Sequence, residues 1–214
     1  AKKPAYDMIV QALSGGMSIT GEPGGRPVRA GIPIGDICAG LHAVIGVQAA
    51  LHERTRSGKG QFIDISMLDV QVAMLSYQGV YHLFSGDIPG GQGRGHASIP
   101  TYASFQSADK LDVLICANTE KMWASLCEVL ELRTLTDDAR FLNNELRHQN
   151  RSELEPLLND AFANQTREVW LQRLSAMGVP CAPVNTLKEA LADPQVRHRN
   201  MVTKLDHSLG GELE

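Results

Sequence analysis

The sequence predicts two unlike α/β pieces joined by a glycine-rich hinge, and three observations carry that expectation. The run from Ile37 to Leu51 holds no Asp, Glu, Lys or Arg and reads as a helix that is apolar on most of its faces. Five of the twenty glycines fall between Gly86 and Gly95, inside "SGDIPGGQGRGHASIP", which marks a linker or a mobile loop. Beyond it the pattern changes to a hairpin signal followed by amphipathic helices.

In chain order, Tyr6 to Leu13 reads as a short helix stopped by Ser14-Gly15-Gly16. "MSITGEPGGRPVRAGIPIG" is dense in Gly and Pro and is a long loop. A helix follows from Asp36 to about Thr55, and its apolar faces, including Leu41, Val44 and Ile45, predict burial. Gly40 and Gly46 would each weaken it by about 1 kcal/mol relative to Ala, so close packing against a neighbour is expected there. "RTRSGKGQ" ends it with cations in the last turn and Gly58 just beyond. "FIDISML" reads as a strand with Phe62, Ile63 and Ile65 inward, and "LDVQVAMLSYQGVYHLF" as one amphipathic helix.

After the glycines, "TYASFQS" and "LDVLICA" form a hairpin through "ADK". "TEKMWASLCEVLEL", "RSELEPLLNDAFA" and "TREVWLQRLSAMG" are helices, the first opened by Thr119 and Glu120, the last closed by Gly178. "VPCAPV" suits a sheet edge, and "LKEALADPQVRHRNM" is helical up to the Asp193-Pro194 break. The first piece contains one sure strand, and one strand makes no sheet. It therefore pairs with another chain or belongs to a longer protein, and the second is the expectation adopted.

A hydrophobic content of 43% with 21% charged residues is ordinary globular composition. A net charge of −4 with scattered Lys and Arg argues against a nucleic-acid surface. The Ile37–Leu51 stretch falls short of a membrane span and no signal-peptide pattern opens the chain, so no membrane and a cytoplasmic setting are expected. Cys38, Cys116, Cys127 and Cys181 form no CxxC pair and read as reduced structural thiols. His42 and His52 lie ten apart, with no HxxxH or HExxH, so no metal is expected.

Asp36 opens an otherwise uncharged helix, and two roles are open to it. A helix-start acid caps the orphan amides of the first turn. Held still and kept ionised by the helix dipole, the same carboxylate can serve as a nucleophile.

The stretches "YDMIVQALSGGMSITG" and "IPIGDICAGLHAVIGVQAALHERTRSGKGQFIDISMLD" resemble the family III CoA-transferases, the formyl-CoA and carnitine-CoA transferase type. The shared pattern is a Gly-Asp pair before a small-residue apolar helix, then Arg54 to Gln61 and Ile63-Asp64. "RGHASIPTYASF", "ANTEKMWASLCEVL", "LRHQNRSELEPLL" and "VPCAPVNTLKEALADPQVRHRNM" extend the resemblance over essentially the whole chain. It implies an α/β fold: part of a large Rossmann-like domain plus a smaller α+β domain, from an interlocked dimer. On that reading residues 1–85 end the large domain, 86–100 are the glycine-rich linker, 101–185 the small domain, and 186–214 the start of a return linker. The chain is then expected to be an internal fragment.

The resemblance implies that Asp36 is the catalytic nucleophile, taking the acyl group from acyl-CoA as a mixed anhydride and then holding CoA as an aspartyl thioester. Tyr6 falls where the transferases carry a tyrosine close to that aspartate. The related 2-methylacyl-CoA racemases carry a histidine there, so the racemase alternative is disfavoured. Gly91 and Gly93, within Gly90 to His96, match a glycine loop that folds over the intermediate, although the four-glycine run of formyl-CoA transferases is absent; a plain flexible linker is the alternative. Replacing both glycines by Ala is expected to leave folding intact. Arg29, Arg54, Lys59 and His96 are candidates for holding coenzyme A, and Arg54 to Lys59 also suit a solvated helix end. The expected partners are acyl-CoA, a carboxylic acid that "RGHASIPTYASF" leans toward the dicarboxylates, and a second copy of the chain. A non-catalytic fragment is the remaining alternative.

Overall fold

The protein is described by a computed structural model covering residues 4–208 and 211–213. It divides into two compact units, Ala1–Arg94 and Gly95–Glu214.

The first unit is helical among the described residues: α1 (Asp7–Leu13), α2 (Ile34–Ser57), α3 (Met67–Met74) and α4 (Tyr77–Ser85). Helices α1, α2 and α3 pack on one another around Val10, Cys38, Ala39 and Val70. Helix α2 stops where the sequence says it should: Gly58 takes φ +70° and its N–H closes on the Arg54 carbonyl at 2.9 Å. Gly46 is the close-packing glycine, since a Cβ there would meet Ile63 Cγ2 at 3.1 Å, whereas a Cβ on Gly40 would point into open space.

Several expectations fail in this unit, which holds no strand among its described residues. Residues 59–66 run without strand pairing, and Phe62 is 92% exposed. The α2 residues Leu41, Val44 and Ile45 are likewise about three-fifths exposed (59%, 59% and 64%) rather than buried. The expected single helix after Ser66 is two, broken at Ser76, which holds φ +51° between α3 and α4. Helix α2 extends the expected Asp36-to-Thr55 span by Ile34-Gly35 at its start and Arg56-Ser57 at its end, giving 24 residues and about 36 Å at the usual rise. By length and composition it is therefore long and apolar enough to cross a membrane, which the shorter sequence stretch was not.

The second unit holds a three-stranded antiparallel sheet in the order β1 (Tyr102–Gln106), β2 (Asp112–Cys116), β3 (Cys181–Pro183), with β3 at the edge its prolines suit. Register opposes Ala103 to Ile115 and Phe105 to Val113, so the four inward residues share one face. Onto that face pack α5 (Glu120–Val129), α7 (Arg151–Phe162) and α8 (Arg167–Ala176). Phe162 stacks on Phe105 with centroids 4.8 Å apart, and Trp170 donates its indole N–H to the Phe162 carbonyl at 2.8 Å. A short α6 (Asn144–Gln149), which the sequence reading missed, brings Arg147 into this core. Arg147 is fully buried, and its Nη atoms are paired: they donate to both Glu120 oxygens at 2.9 and 2.8 Å and to the Phe141 carbonyl at 2.9 Å, while Nε has no partner. Its guanidinium lies 4.9 Å from the Trp123 ring centroid. Burial pushes the Cys127 thiol up to about 12, so it is an inert apolar filler.

The helical run after β3 continues past its proline. Helix α9 (Leu187–Ala192) begins with a Thr186–Glu189 capping box, and Asp193 then caps α10 (Pro194–His198). A hairpin of β4 (Leu205–His207) and β5 (Gly211–Leu213) ends the described chain.

Candidate active site

The predicted nucleophile lies in the first unit, and its position follows from how α2 begins. Pro33 precedes the helix and offers no side-chain cap, so the first-turn amides need another acceptor. Asp7 supplies it, its Oδ1 accepting the Gly35 N–H at 2.8 Å. Asp36 is therefore not the cap that one sequence reading made it. It sits inside the first turn, solvent-exposed, and among the described residues no hydrogen bond or ion pair reaches its carboxylate. The positive end of a 24-residue helix surrounds it.

Tyr6 immediately precedes Asp7, just as Asp36 immediately follows Gly35, so the two candidates flank the ends of one hydrogen bond. Tyr6 is 69% exposed. Behind the first turn, Gln11, Thr20, Ala30, Ile34 and Gln71 line a cavity of about 170 Å³. That volume suits a short acyl or carboxylate group and not a whole CoA.

The glycine loop lies against the loop that leads into α2. Gly93 donates its N–H to the Gly21 carbonyl at 2.8 Å. A Cβ on Gly91 would collide with that same carbonyl oxygen, and one on Gly93 would lie 2.7 Å from Glu22 Oε2 in a residue already at φ +59°. Alanine at Gly91 is thus incompatible with the docked loop, and at Gly93 the left-handed backbone strains any side chain, so the paired substitution expected to leave folding intact would undock this loop. The stretch beyond is tied down within the second unit. Gly95 bridges to Ala103, and Arg151 donates to the His96 and Ala97 carbonyls at 2.8 and 3.2 Å.

The structure places the cationic candidates as follows. Arg29 turns its Nη1 onto the Ala30 and Gly31 carbonyls at 3.0 and 3.3 Å. Arg54 lies eighteen residues further along α2, roughly 27 Å from Asp36 at the helical rise, and Lys59 lies beyond it. His96 belongs to the second unit, where its ring stacks on Tyr102 at 5.7 Å and its Nδ1 accepts the Ser98 N–H at 3.2 Å. A cleft of about 710 Å³ also lies in the second unit. It is walled by Arg133–Glu128 and Arg173–Glu131 pairs that already satisfy one another, so its size does not make it the chemical site. Among the described residues no cluster of His, Cys, Asp and Glu is arranged to hold a metal.

Sequence reasoning missed Asp7 and Gln11, and saw Gly35 only as half of the Gly-Asp pair. The signal was present: Asp7 and Gln11 are spaced i,i+4 on one helix, and a glycine stands directly before the candidate acid.

The family model of CoA-transferase family III matches residues 1–214. The human succinyl-CoA:glutarate CoA-transferase is 34% identical over 213 residues, 100% of this chain and 48% of that protein. The acetyl-CoA:oxalate CoA-transferase of Acetobacter aceti is 37% identical over 205 residues, 95% of this chain and 52% of that protein. The crystal structure of a CaiB/BaiF family protein from Brucella suis superposes with a TM-score of 0.82 at 35% identity, covering 96% of this chain and 53% of that one. The chain spans about half the length of the curated relatives it matches.

Proposed function

The chain belongs to CoA-transferase family III, and from that premise we propose that the protein carrying it moves CoA from an acyl-CoA to a carboxylic acid, with Asp36 as the nucleophile. The observation that carries the proposal is an exposed, unpaired carboxylate in the first turn of α2, within a chain matched over its whole length by the family. A dicarboxylate acceptor is the preferred substrate class, because relatives are named for glutarate and oxalate.

The steps balance without a metal or ATP. An Asp36 oxygen attacks the thioester carbonyl, forming a mixed anhydride as the C–S bond breaks and CoA leaves as thiolate. The thiolate then attacks the Asp36 carbonyl carbon, forming the aspartyl-CoA thioester and releasing the donor as its carboxylate. The acceptor carboxylate attacks that thioester to give a new anhydride and thiolate. The thiolate finally takes the acceptor acyl group and frees Asp36. The helix N-terminus stabilises the negative charge at each addition. Gly90 to Gly93 act as a cover that keeps water from the anhydride, and Tyr6 lines the approach. A second copy of the chain completes the assembly in the cytoplasm, sealing apolar α2 residues such as Leu41 and Ile45.

The test is transfer by the whole protein from succinyl-CoA to glutarate, followed by mass analysis of the CoA products. Asp36→Asn should lower the rate on the order of 10⁴-fold or more while leaving the fold unchanged, since an amide cannot form the anhydride. Full transfer by Asp36→Asn would overturn the assignment.

A further inference from the structure

The start of α2 is aimed by a neighbour rather than by its own cap. Asp7, the first residue of α1, divides its carboxylate between two elements. Its Oδ1 accepts the Gly35 N–H and its Oδ2 accepts the Gln11 side-chain N–H, both at 2.8 Å. Gln11 is 3% exposed, and its Oε1 in turn accepts the Ala30 N–H at 2.9 Å. One unbroken chain of hydrogen bonds thus ties together the start of α1, the loop entering α2 and the first turn of α2.

Gly35 completes the arrangement. A Cβ at that position would lie 2.9 Å from Asp7 Oδ1, so the close approach exists only because residue 35 has no side chain. Asp36 is the next residue on this turn. Any shift of the Gly35 amide is carried into the direction of the Asp36 carboxylate.

We propose that Asp7 and Gly35 form a positioning pair that sets the attack direction of Asp36, a role that rests on reading Asp36 as the nucleophile. Asp7 does not itself react, because both its oxygens are engaged. The geometry separates two acids close in the fold into one that holds and one that attacks.

The experiment compares Asp7→Ala, Asp7→Asn, Gly35→Ala and the Asp7→Ala/Gly35→Ala double variant in the whole protein. For each, kcat, KM for the acyl-CoA, thermal melting and the rate of hydroxylamine-trapped acylation at Asp36 are measured. Asp7→Ala and Gly35→Ala should each lower kcat and the trapping rate roughly ten- to hundredfold, the cost of a small misplacement, with KM unchanged. Asp7→Asn keeps an acceptor for Gly35 and should recover part of the loss. The double variant should be no slower than Asp7→Ala, because removing the carboxylate relieves the clash at residue 35. If Asp7→Ala lowers the melting temperature but leaves kcat and trapping unchanged, the pair is merely structural and the proposal is overturned. If Asp7→Ala does not fold, Gly35→Ala and Asp7→Asn decide between the same two outcomes. Asp36→Asn, run alongside, separates the two claims: its inactivity beside an unaffected Gly35→Ala defeats the positioning pair alone. Activity surviving in Asp36→Asn defeats both.

Discussion

Replacing Glu120 by Gln should destabilise the second unit by an amount the buried Arg147 sets. The guanidinium is 1% exposed and has three acceptor contacts, two of them to the Glu120 carboxylate. Its Nε has no partner, so no spare acceptor stands ready. Removing one partner of a fully buried pair costs about 3–5 kcal/mol. Glu120, however, is 57% exposed, so water can take over part of its role, and its remaining amide oxygen still accepts one bond. The expected loss is therefore about 1–2 kcal/mol near neutral pH, below most of the roughly 1.5–3 kcal/mol of a hydrogen bond to a charged group because water reaches Glu120. The hydrogen bond from Arg147 holds the Glu120 carboxyl below its ordinary value of 4.5. Its contribution is fully present above 4.5 and is lost as pH falls through the lowered folded value. Wild type and variant should accordingly converge in stability at strongly acid pH, since the other carboxylates are common to both. Both tryptophans of the chain, Trp123 and Trp170, lie in the second unit, so their fluorescence reports its urea unfolding alone. A midpoint shift of roughly 0.5–1 M at neutral pH is expected, shrinking at low pH. Equal midpoints at neutral pH, or a difference unchanged in acid, would show that the Glu120–Arg147 contact does not stabilise this unit.

Gly91→Ala should free the loop from Gly21, and hydrogen exchange of the Gly93 amide should rise at least tenfold, roughly the loss of one bond's protection; unchanged exchange would show that the loop tolerates a side chain. The 214-residue chain on its own should sediment as associated species, because α2 exposes Leu41, Val44 and Ile45, and a Leu41→Lys/Ile45→Lys variant should shift it toward monomer. A monomeric wild-type chain would refute that expectation.

Where local signals and tertiary packing agree, the sequence was legible. Thr119 accepts from the Met122 N–H to open α5, as its position before an apolar-periodic run implies, and Gly178 takes φ +70° after α8. The β1–β2 hairpin was readable because its alternation and its short polar turn point the same way. The first unit was harder because its apolar pattern implies burial at positions that stand exposed. Among the described residues Phe62 and Ile65 have strand character but no strand pairing, and Val44 has core character but is 59% exposed. The Ser76 break carried no glycine or proline to announce it. At the site, a lone acid at a helix start could be seen, but not which acid caps. That depended on a contact between Asp7 and Gly35, twenty-eight residues apart.

Covalent acylation of Asp36 is directly measurable. The whole protein, incubated with succinyl-CoA and quenched with hydroxylamine, should yield a hydroxamate on the peptide containing Asp36, identified by peptide mass analysis. The mark should be absent without acyl-CoA and absent in Asp36→Asn. A hydroxamate on another residue, or active turnover with Asp36 unmodified, would contradict the account.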